Sequence, residues 1–242
     1  MAEENKKENE SAETRKKKNT KEKVYNNHIE MNPRLEESSS KTVVLGWGRM
    51  NPITSGHEKL VNKIKEVARK ESANAKIFLT HSQDVKKNPL TYDDKVMLAR
   101  KAFGDVVQKS KSKTIIQVMQ EIDKKYKRVI LVVGADRIKE FETLLNKYNG
   151  REFNFDEIKV VSAGERTDPD SDAAKKMTAD TMSASVMRKL ASEGDFETFK
   201  LGLPSKLKSS ARDVYDMVRG GMKLAEAMEL EEAVLNRQQR RQ

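Results

Sequence analysis

A strand pattern, a glycine-containing turn and a helix pattern follow one another directly around residue 50, and this succession constrains the fold most. Residues 42–47 form a short apolar run typical of a buried strand, and residues 48–57 form the turn and the helix start. Such a helix start presents N–H groups and its positive dipole end to an anion. The apolar residues at helical spacing are Leu60, Val61, Ile64, Val67 and Ala68. The segment therefore predicts a phosphate site at a strand-to-helix joint.

Thr54 and His57 are the candidate reactive residues of this segment. Both can donate hydrogen bonds to phosphate oxygens, and Gly56 stands between them. A Thr-x-Gly-His string by itself is weak evidence, because it occurs by chance and an isolated histidine is usually structural. Its position at a strand-to-helix joint favours the functional interpretation. The segment is therefore predicted to hold a nucleotide and to help it react.

A second motif lies near the far end of the same region. Residues 182–188 read Met-Ser-Ala-Ser-Val-Met-Arg and also stand at a predicted helix start. Serine is a preferred residue at that position because its side chain can accept from the backbone N–H groups of the first turn. The ordered pair of motifs favours nucleotide binding much more than either motif alone.

Strand and helix patterns alternate from residue 42 to residue 161, which predicts an α/β fold with a doubly wound parallel sheet of five strands. The run at residues 128–133 is β-branched and continuously apolar, as a central parallel strand should be. Ligands bind such sheets beyond the carboxyl ends of the strands, where residues 48–57, residues 134–136 and the loop after residue 161 are expected. The predicted strands are residues 42–47, 75–80, 106–107, 128–133 and 158–161, and predicted helices include residues 91–103, 115–122 and 136–148.

Two extensions flank the α/β domain, which we assign to residues 42–204. Residues 1–41 are rich in Glu, Lys, Asn and Ser and nearly lack bulky apolar residues, so a disordered charged tail is expected. Residues 205–242 carry apolar residues at helical spacing and predict a helical C-terminal extension. We favour packing of this extension on the domain, and the alternative is a helix that forms homo-oligomers or docks a partner.

The composition excludes several classes of protein. The 242 residues include no cysteine, which rules out disulfides and thiolate zinc sites. No apolar run approaches the roughly 18–20 residues of a membrane span, and no signal-peptide core is present, so a cytoplasmic protein is expected. The formal net charge of +10 suits phosphorylated substrates as well as nucleic acid. Scattered basic residues and an aromatic content of 5% argue against dedicated nucleic-acid binding.

The motifs resemble those of the nucleotidyltransferase superfamily, which includes nicotinamide mononucleotide adenylyltransferases, pantetheine-phosphate adenylyltransferases and cytidylyltransferases. Its signatures are His/Thr-x-Gly-His and Ile-Ser-Ser-Thr-x-x-Arg. Residues 48–52 (Gly-Arg-Met-Asn-Pro) are similar to a nicotinamide-nucleotide branch, and residues 52–57 (Pro-Ile-Thr-Ser-Gly-His) to the pantetheine branch. Residues 133–136 (Val-Gly-Ala-Asp) resemble the Gly-x-Asp of the nicotinamide-nucleotide enzymes. The resemblance covers residues 42–204, extends to phage-encoded members and implies a Rossmann-like nucleotidyltransferase fold.

The resemblance implies an enzyme that transfers a nucleoside monophosphate, with AMP from ATP as the first expectation, to a phosphorylated small-molecule acceptor. Pyrophosphate is released, and Mg²⁺ is held mainly by the nucleotide phosphates. The Gly-Arg lead-in and Asp136 favour nicotinamide mononucleotide as the acceptor, whereas the Pro-Ile-Thr string favours phosphopantetheine. Flavin mononucleotide or a cytidylyl acceptor also stays open. A phage-encoded member would act in the host cytoplasm.

The resemblance also implies the catalytic residues. His57 would donate to the α-phosphate, Thr54 would bind a phosphate oxygen, and Arg188 would reach the leaving pyrophosphate. The second signature departs from the family at Val186, where an arginine is common, and at Ser185, where a threonine is common. The lost cation keeps an alternative open, namely a catalytically weak nucleotide-binding or structural module of an assembly such as a virion.

The nucleotide-binding residues are carried over in the same way. Lys86 or Lys87, in the loop after the second strand, matches roughly where some members place a lysine on the triphosphate, and Lys87 is the one that we assign. Lys95 stands where an arginine commonly begins the next helix. The expected nucleotide-binding residues are Gly48, Arg49, Met50, Asn51, Gly56, Lys87, Gly134, Asp136, Met182, Ser183 and Ser185.

Overall fold

The computed structural model describes residues 41–164 and 182–223. Its centre is a parallel sheet of four strands: β1 (Thr42–Gly48), β2 (Asn74–Leu79), β3 (Arg128–Val133) and β4 (Glu157–Ser162). Their spatial order is β2-β1-β3-β4. The predicted α/β class and parallel sheet are therefore confirmed, and β3 has the bounds that its continuous apolar run predicted.

Helices cover both faces of the sheet, as a doubly wound fold requires. Thr91 begins the second helix as predicted, because its Oγ1 accepts from the backbone N–H of Asp94 at 3.2 Å. The third and fourth helices pack on one face, and the others pack on the opposite face. The helices are α1 (Ser55–Lys70), α2 (Tyr92–Phe103), α3 (Ile115–Asp123), α4 (Ile138–Tyr148), α5 (Ala184–Glu193), α6 (Phe196–Leu201) and α7 (Ala211–Gly221).

The predicted fifth strand, at residues 106–107, is reduced to a single bridge. Val107 pairs with Ile77 on the outer edge of β2, and the backbone N–H of Ile77 donates to the carbonyl of Val106 at 2.7 Å. Polar residues follow at once, beginning with Gln108. Two apolar residues are too few to extend a ladder, so the described residues form four strands and not five.

The strand order determines where the ligand crevice lies. β1 and β3 are neighbours in register, with Gly46 opposite Val132. The chain leaves β1 for α1 on one face and leaves β3 for α4 on the other. This reversal is the switch point at which doubly wound sheets bind ligands. The turn after β1 and residues 134–136 therefore leave the sheet side by side, at the predicted edge.

Helix α1 lies close to β1 because Gly46 has no side chain. A Cβ at Gly46 would stand 2.5 Å from Cδ1 of Ile64, which is much too close. Ile64 is fully buried in the apolar layer that also contains Val44 and Ile130. The close approach lets the middle of α1 pack directly against β1.

The described part of the C-terminal extension, residues 205–223, packs on the same core. Arg219 donates to the carbonyl of Ala191 in α5. Gly221 lies against the backbone of Pro89, and a Cβ there would collide with the Pro89 carbonyl. The apolar face of α7 is thus used within the chain. Its buried residues are Ala211, Val214, Tyr215 and Val218.

Several predicted features lie outside the described residues. They are the charged tail apart from Lys41, and residues 224–242 of the C-terminal extension. Residues 165–181, between β4 and the second motif, are outside them as well. Among the helices that are described, none is both long and apolar enough to cross a membrane.

The two adjacent glycines at the end of α7 offer a test of this packing. Gly221→Ala should lower the free energy of unfolding by about 1–3 kcal/mol, because its Cβ meets the Pro89 backbone. Gly220→Ala meets nothing within 4 Å and should leave stability unchanged or raise it by up to about 1 kcal/mol. Urea unfolding of both variants measures the difference. Equal stability of the two variants would contradict the close contact.

Candidate active site

The β1–α1 turn (residues 49–54) is buried except at Arg49. Thr54 is 2% exposed and is the N-cap residue of α1. The backbone N–H of the next residue, Ser55, donates to the carbonyl of Gly202 at 2.8 Å. The beginning of α1 is therefore attached to the C-terminal part of the domain by its own first N–H group.

Thr54 and His57 contact each other directly. The backbone N–H of Thr54 donates to Nδ1 of His57 at 3.0 Å, and Oγ1 of Thr54 lies 3.0 Å from the same nitrogen. A ring nitrogen that accepts an N–H carries no proton, so the neutral imidazole carries its proton on Nε2. The turn thereby makes the outer nitrogen of His57 a hydrogen-bond donor.

The second motif begins α5 and meets the first. Ser183 is the N-cap residue, and its Oγ accepts from the backbone N–H of Val186 at 3.2 Å. Arg188 donates from Nη2 to Oγ of Ser185 at 3.1 Å and from Nη1 to the carbonyl of Asn51 at 2.7 Å. The two predicted motifs are therefore joined by a hydrogen bond between residues far apart in the sequence.

The guanidinium of Arg188 lies in a partly buried and cationic environment. Burial lowers its pKa, the nearby charge of Arg49 lowers it further, and Asp84 acts in the opposite direction. The positive charges of Arg188 and Arg49 therefore repel each other across the crevice. Concentrated positive charge attracts anions. A bound anion then reduces the repulsion between the two guanidinium groups.

The loop of residues 80–90 brings Lys86 and Lys87 to the exposed surface beside this crevice. The carboxylate of Asp84 accepts from the backbone N–H groups of Lys87 at 2.6 Å and of Lys86 at 3.1 Å, and from the amide of Asn88. The hydrogen bond from Lys87 is the main cause of the lowered pKa of Asp84. The carboxylate therefore fixes the turn that carries both lysines.

The end of β3 forms the opposite side of the crevice. Gly134 precedes a single 3₁₀ turn, Ala135–Arg137, and Asp136 is exposed there. The backbone N–H of Ala135 donates to the carbonyl of Gly164, which follows β4, at 3.3 Å. The predicted Gly-x-Asp segment thus lies at the switch point, next to the β1–α1 turn.

A model of the cytidylyltransferase-like family matches residues 45–188, which is more than half of the chain and contains both motifs. The chain belongs to this family. It is therefore a nucleotidyltransferase with a nucleotide-binding Rossmann-like fold, as the motif pair predicted. A search of curated proteins finds no match.

Three of the residues assigned to the nucleotide site of this nucleotidyltransferase are buried. Met50, Asn51 and Met182 are 1%, 2% and 2% exposed. The side-chain amide of Asn51 makes one donor and one acceptor hydrogen bond to the backbone of Leu90. A nucleotide contact from these positions would therefore come from the main chain.

Lys95 is a residue whose role sequence reasoning missed. Its side chain is fully buried, and its amine donates to the carbonyls of Thr80 at 2.6 Å and Ser82 at 3.1 Å. Burial lowers the pKa of Lys95 to about 8. A charged residue between buried apolar positions of α2 was the available indication of this role. Lys95 anchors the beginning of the loop that carries Lys86 and Lys87.

The site of the nucleotidyltransferase offers phosphate ligands and not a metal cage. Within residues 41–164 and 182–223, no group of three or more His, Asp and Glu side chains could hold a metal ion. The donors of the two motifs are N–H groups, hydroxyls and the guanidinium of Arg188, which bind phosphate oxygens. The family generally uses Mg²⁺ together with its nucleotide.

The buried amine of Lys95 predicts a pH dependence of stability. Its pKa falls from 10.5 in the unfolded chain to about 8 in the folded one, so between these values the unfolded state binds more protons. The stability of the wild type relative to Lys95→Met should therefore rise with pH across this window, by about 3 kcal/mol in all. Urea unfolding of both proteins from about pH 7 to about pH 10 measures this. A constant difference would contradict the lowered pKa.

Proposed function

We propose that this nucleotidyltransferase transfers AMP from ATP to a phosphorylated small-molecule acceptor and releases pyrophosphate. The observation that carries the proposal is the hydrogen bond from Arg188 to the carbonyl of Asn51, which brings both phosphate-type motifs to one crevice. A phosphate oxygen of the acceptor attacks the α-phosphorus, and the bond from that phosphorus to the pyrophosphate oxygen breaks. The acceptor oxygen is already anionic, so catalysis needs positioning and charge neutralisation more than a general base.

His57 would act on the α-phosphate. Its Nδ1 accepts the backbone N–H of Thr54, so its Nε2–H is the donor for the charge that grows on the α-phosphate oxygens. Besides orienting His57 through its backbone N–H, Thr54 would bind a phosphate oxygen with its hydroxyl. Gly56 leaves room at the helix start, since even a Cβ there would meet only Thr54 Oγ1 at 3.5 Å.

The outer phosphates would meet the cations. The charges of Arg188 and Arg49 act on each other, and Lys87 is exposed on the loop whose end binds Asn51. Main-chain atoms of Gly48, Met50, Asn51 and Met182, with Ser183 and Ser185, would complete the nucleotide site. These cations would neutralise the charge that develops on the leaving pyrophosphate, and Mg²⁺ bound to the β- and γ-phosphates of ATP would neutralise the remainder.

The acceptor would bind on the β3 side of the crevice, where Gly134 and Asp136 lie. Nicotinamide mononucleotide and phosphopantetheine are the first two acceptors to test. The Gly-Arg lead-in favours the first, and the Pro-Ile-Thr string favours the second. A carboxylate such as that of Asp136 can accept from a ribose hydroxyl or a ring amide. A cytoplasmic location, in the host if the chain is phage-encoded, belongs to the same proposal.

The experiment that tests the function is a pyrophosphate-release screen of ATP and CTP against a panel of phosphorylated acceptors. Two variants separate the nitrogens of His57. His57→Asn keeps an acceptor near Nδ1 but lacks the outer donor, and should lower turnover at least ~10²-fold while ATP affinity changes only several-fold. His57→Gln can place an N–H near Nε2 and should retain more activity.

Two results would contradict this proposal. Release of pyrophosphate with none of the nucleotide and acceptor pairs would overturn the transfer reaction. An equal loss of ATP binding and turnover in both His57 variants would show that the ring only builds the pocket.

Arg188 provides a separate prediction about the triphosphate. Arg188→Ala should weaken ATP by about 1.5–3 kcal/mol, the scale of a charge-assisted hydrogen bond, and should weaken AMP much less. Arg188→Lys should restore only part of the affinity, because an ammonium cannot make the planar two-point contact. Titration of AMP, ADP and ATP into the three proteins measures the pattern. A uniform loss for all three nucleotides would contradict a contact with the outer phosphates.

A further inference from the structure

The side chain of Asn51 makes two hydrogen bonds to the backbone of one residue. Its Nδ2 donates to the carbonyl of Leu90 at 3.0 Å, and its Oδ1 accepts from the N–H of Leu90 at 3.0 Å. Asn51 is 2% exposed and Leu90 is 1% exposed, so water cannot replace these bonds. The amide is therefore committed to the protein and not to a ligand.

Leu90 ends the loop of residues 80–90, which carries Lys87. Lys95 holds the beginning of this loop at Thr80 and Ser82, and Asp84 holds its turn. Asn51 supplies the attachment at the other end and connects the loop to the β1–α1 turn. The distance between Lys87 and the rest of the crevice therefore depends on Asn51.

The main chain of Asn51 faces the third cationic element. Its carbonyl accepts from Arg188 of α5 at 2.7 Å, and Arg49 is two positions before it. A single residue thus stands between the β1–α1 turn, the lysine loop and the second motif. Each of these elements brings at least one cation to the crevice.

We propose that Asn51 is a positioning residue, which does not touch the nucleotide with its side chain but holds the loop of residues 80–90 where Lys87 meets the triphosphate. The inference rests on the proposed function, because it assigns the triphosphate to the crevice. It goes beyond that function by making the affinity for outer phosphates depend on a bond to Leu90.

The chain contains a matched control for this device. Asn149 makes the same pair of bonds to the backbone of Phe155, with Nδ2 donating to its carbonyl at 3.0 Å and Oδ1 accepting from its N–H at 2.9 Å. Asn149 ends α4 and Phe155 comes just before β4. The pair therefore lies at the amino ends of the strands, whereas the crevice lies at their carboxyl ends. Asn149→Leu should therefore lower stability without changing nucleotide affinity.

The test is a double-mutant cycle measured by calorimetric titration of ATP and AMP. Asn51→Leu should weaken ATP about tenfold and AMP much less, since only the triphosphate reaches Lys87. In the Lys87→Ala background, Asn51→Leu should cost no further ATP affinity, because both changes remove the same contact. If Asn51→Leu does not fold, Asn51→Ala replaces it, because it removes both hydrogen bonds to Leu90 without adding a branched side chain.

Hydrogen exchange of the peptide that covers residues 84–90 provides the second measurement. It should speed up in Asn51→Leu and stay unchanged in Asn149→Leu. Unchanged exchange, unchanged ATP affinity or fully additive losses in the cycle would each overturn the inference. A wild type that binds ATP but releases no pyrophosphate would contradict the proposed transfer reaction. The double-mutant cycle of ATP affinities would still decide the role of Asn51.

Discussion

The β1–α1 turn is a buried loop, and a buried loop has to satisfy its backbone polar groups within the protein. Its partners come from distant parts of the chain. The N–H of Ser55 donates to Gly202, the carbonyl of Asn51 accepts from Arg188, and the amide of Asn51 binds the backbone of Leu90. Satisfying the turn therefore gathers α5, the end of α6 and the lysine loop around one crevice. The candidate active site is a consequence of that requirement.

The same gathering creates the electrostatic character of the site. Burial and the charge of Arg49 both oppose the cationic form of Arg188, and the acidic group that counters them is Asp84. The carboxylate of Asp84 is itself used by backbone N–H groups of its own loop. The guanidinium of Arg188 is thus held in place by hydrogen bonds to a neutral carbonyl and a hydroxyl, against the repulsion of Arg49. A polyphosphate would relieve the repulsion, which is why the geometry suits a nucleoside triphosphate.

Much of the fold follows from local patterns. The continuous apolar run at residues 128–133 became β3, and Thr91 became the N-cap of α2. Both depend only on neighbours in the sequence, through side-chain periodicity and a short-range hydrogen bond. The prediction failed at residues 106–107, where a strand was expected and a single bridge formed. Strand formation at a sheet edge depends on pairing with a neighbour, which local propensity does not describe.

The sequence by itself determined the elements of the α/β domain and the two motifs, because periodicity, capping and short phosphate-type strings are local. Only the tertiary structure decided that Asn51 binds Leu90, 39 positions away, and that Arg188 binds Asn51, 137 positions away. It also decided that Lys95 is buried beneath the loop that it anchors. The physical reason is that a buried polar group bonds whichever partner lies within about 3 Å in space. That neighbour is chosen by the order of the strands and the packing of the helices, which no local pattern contains.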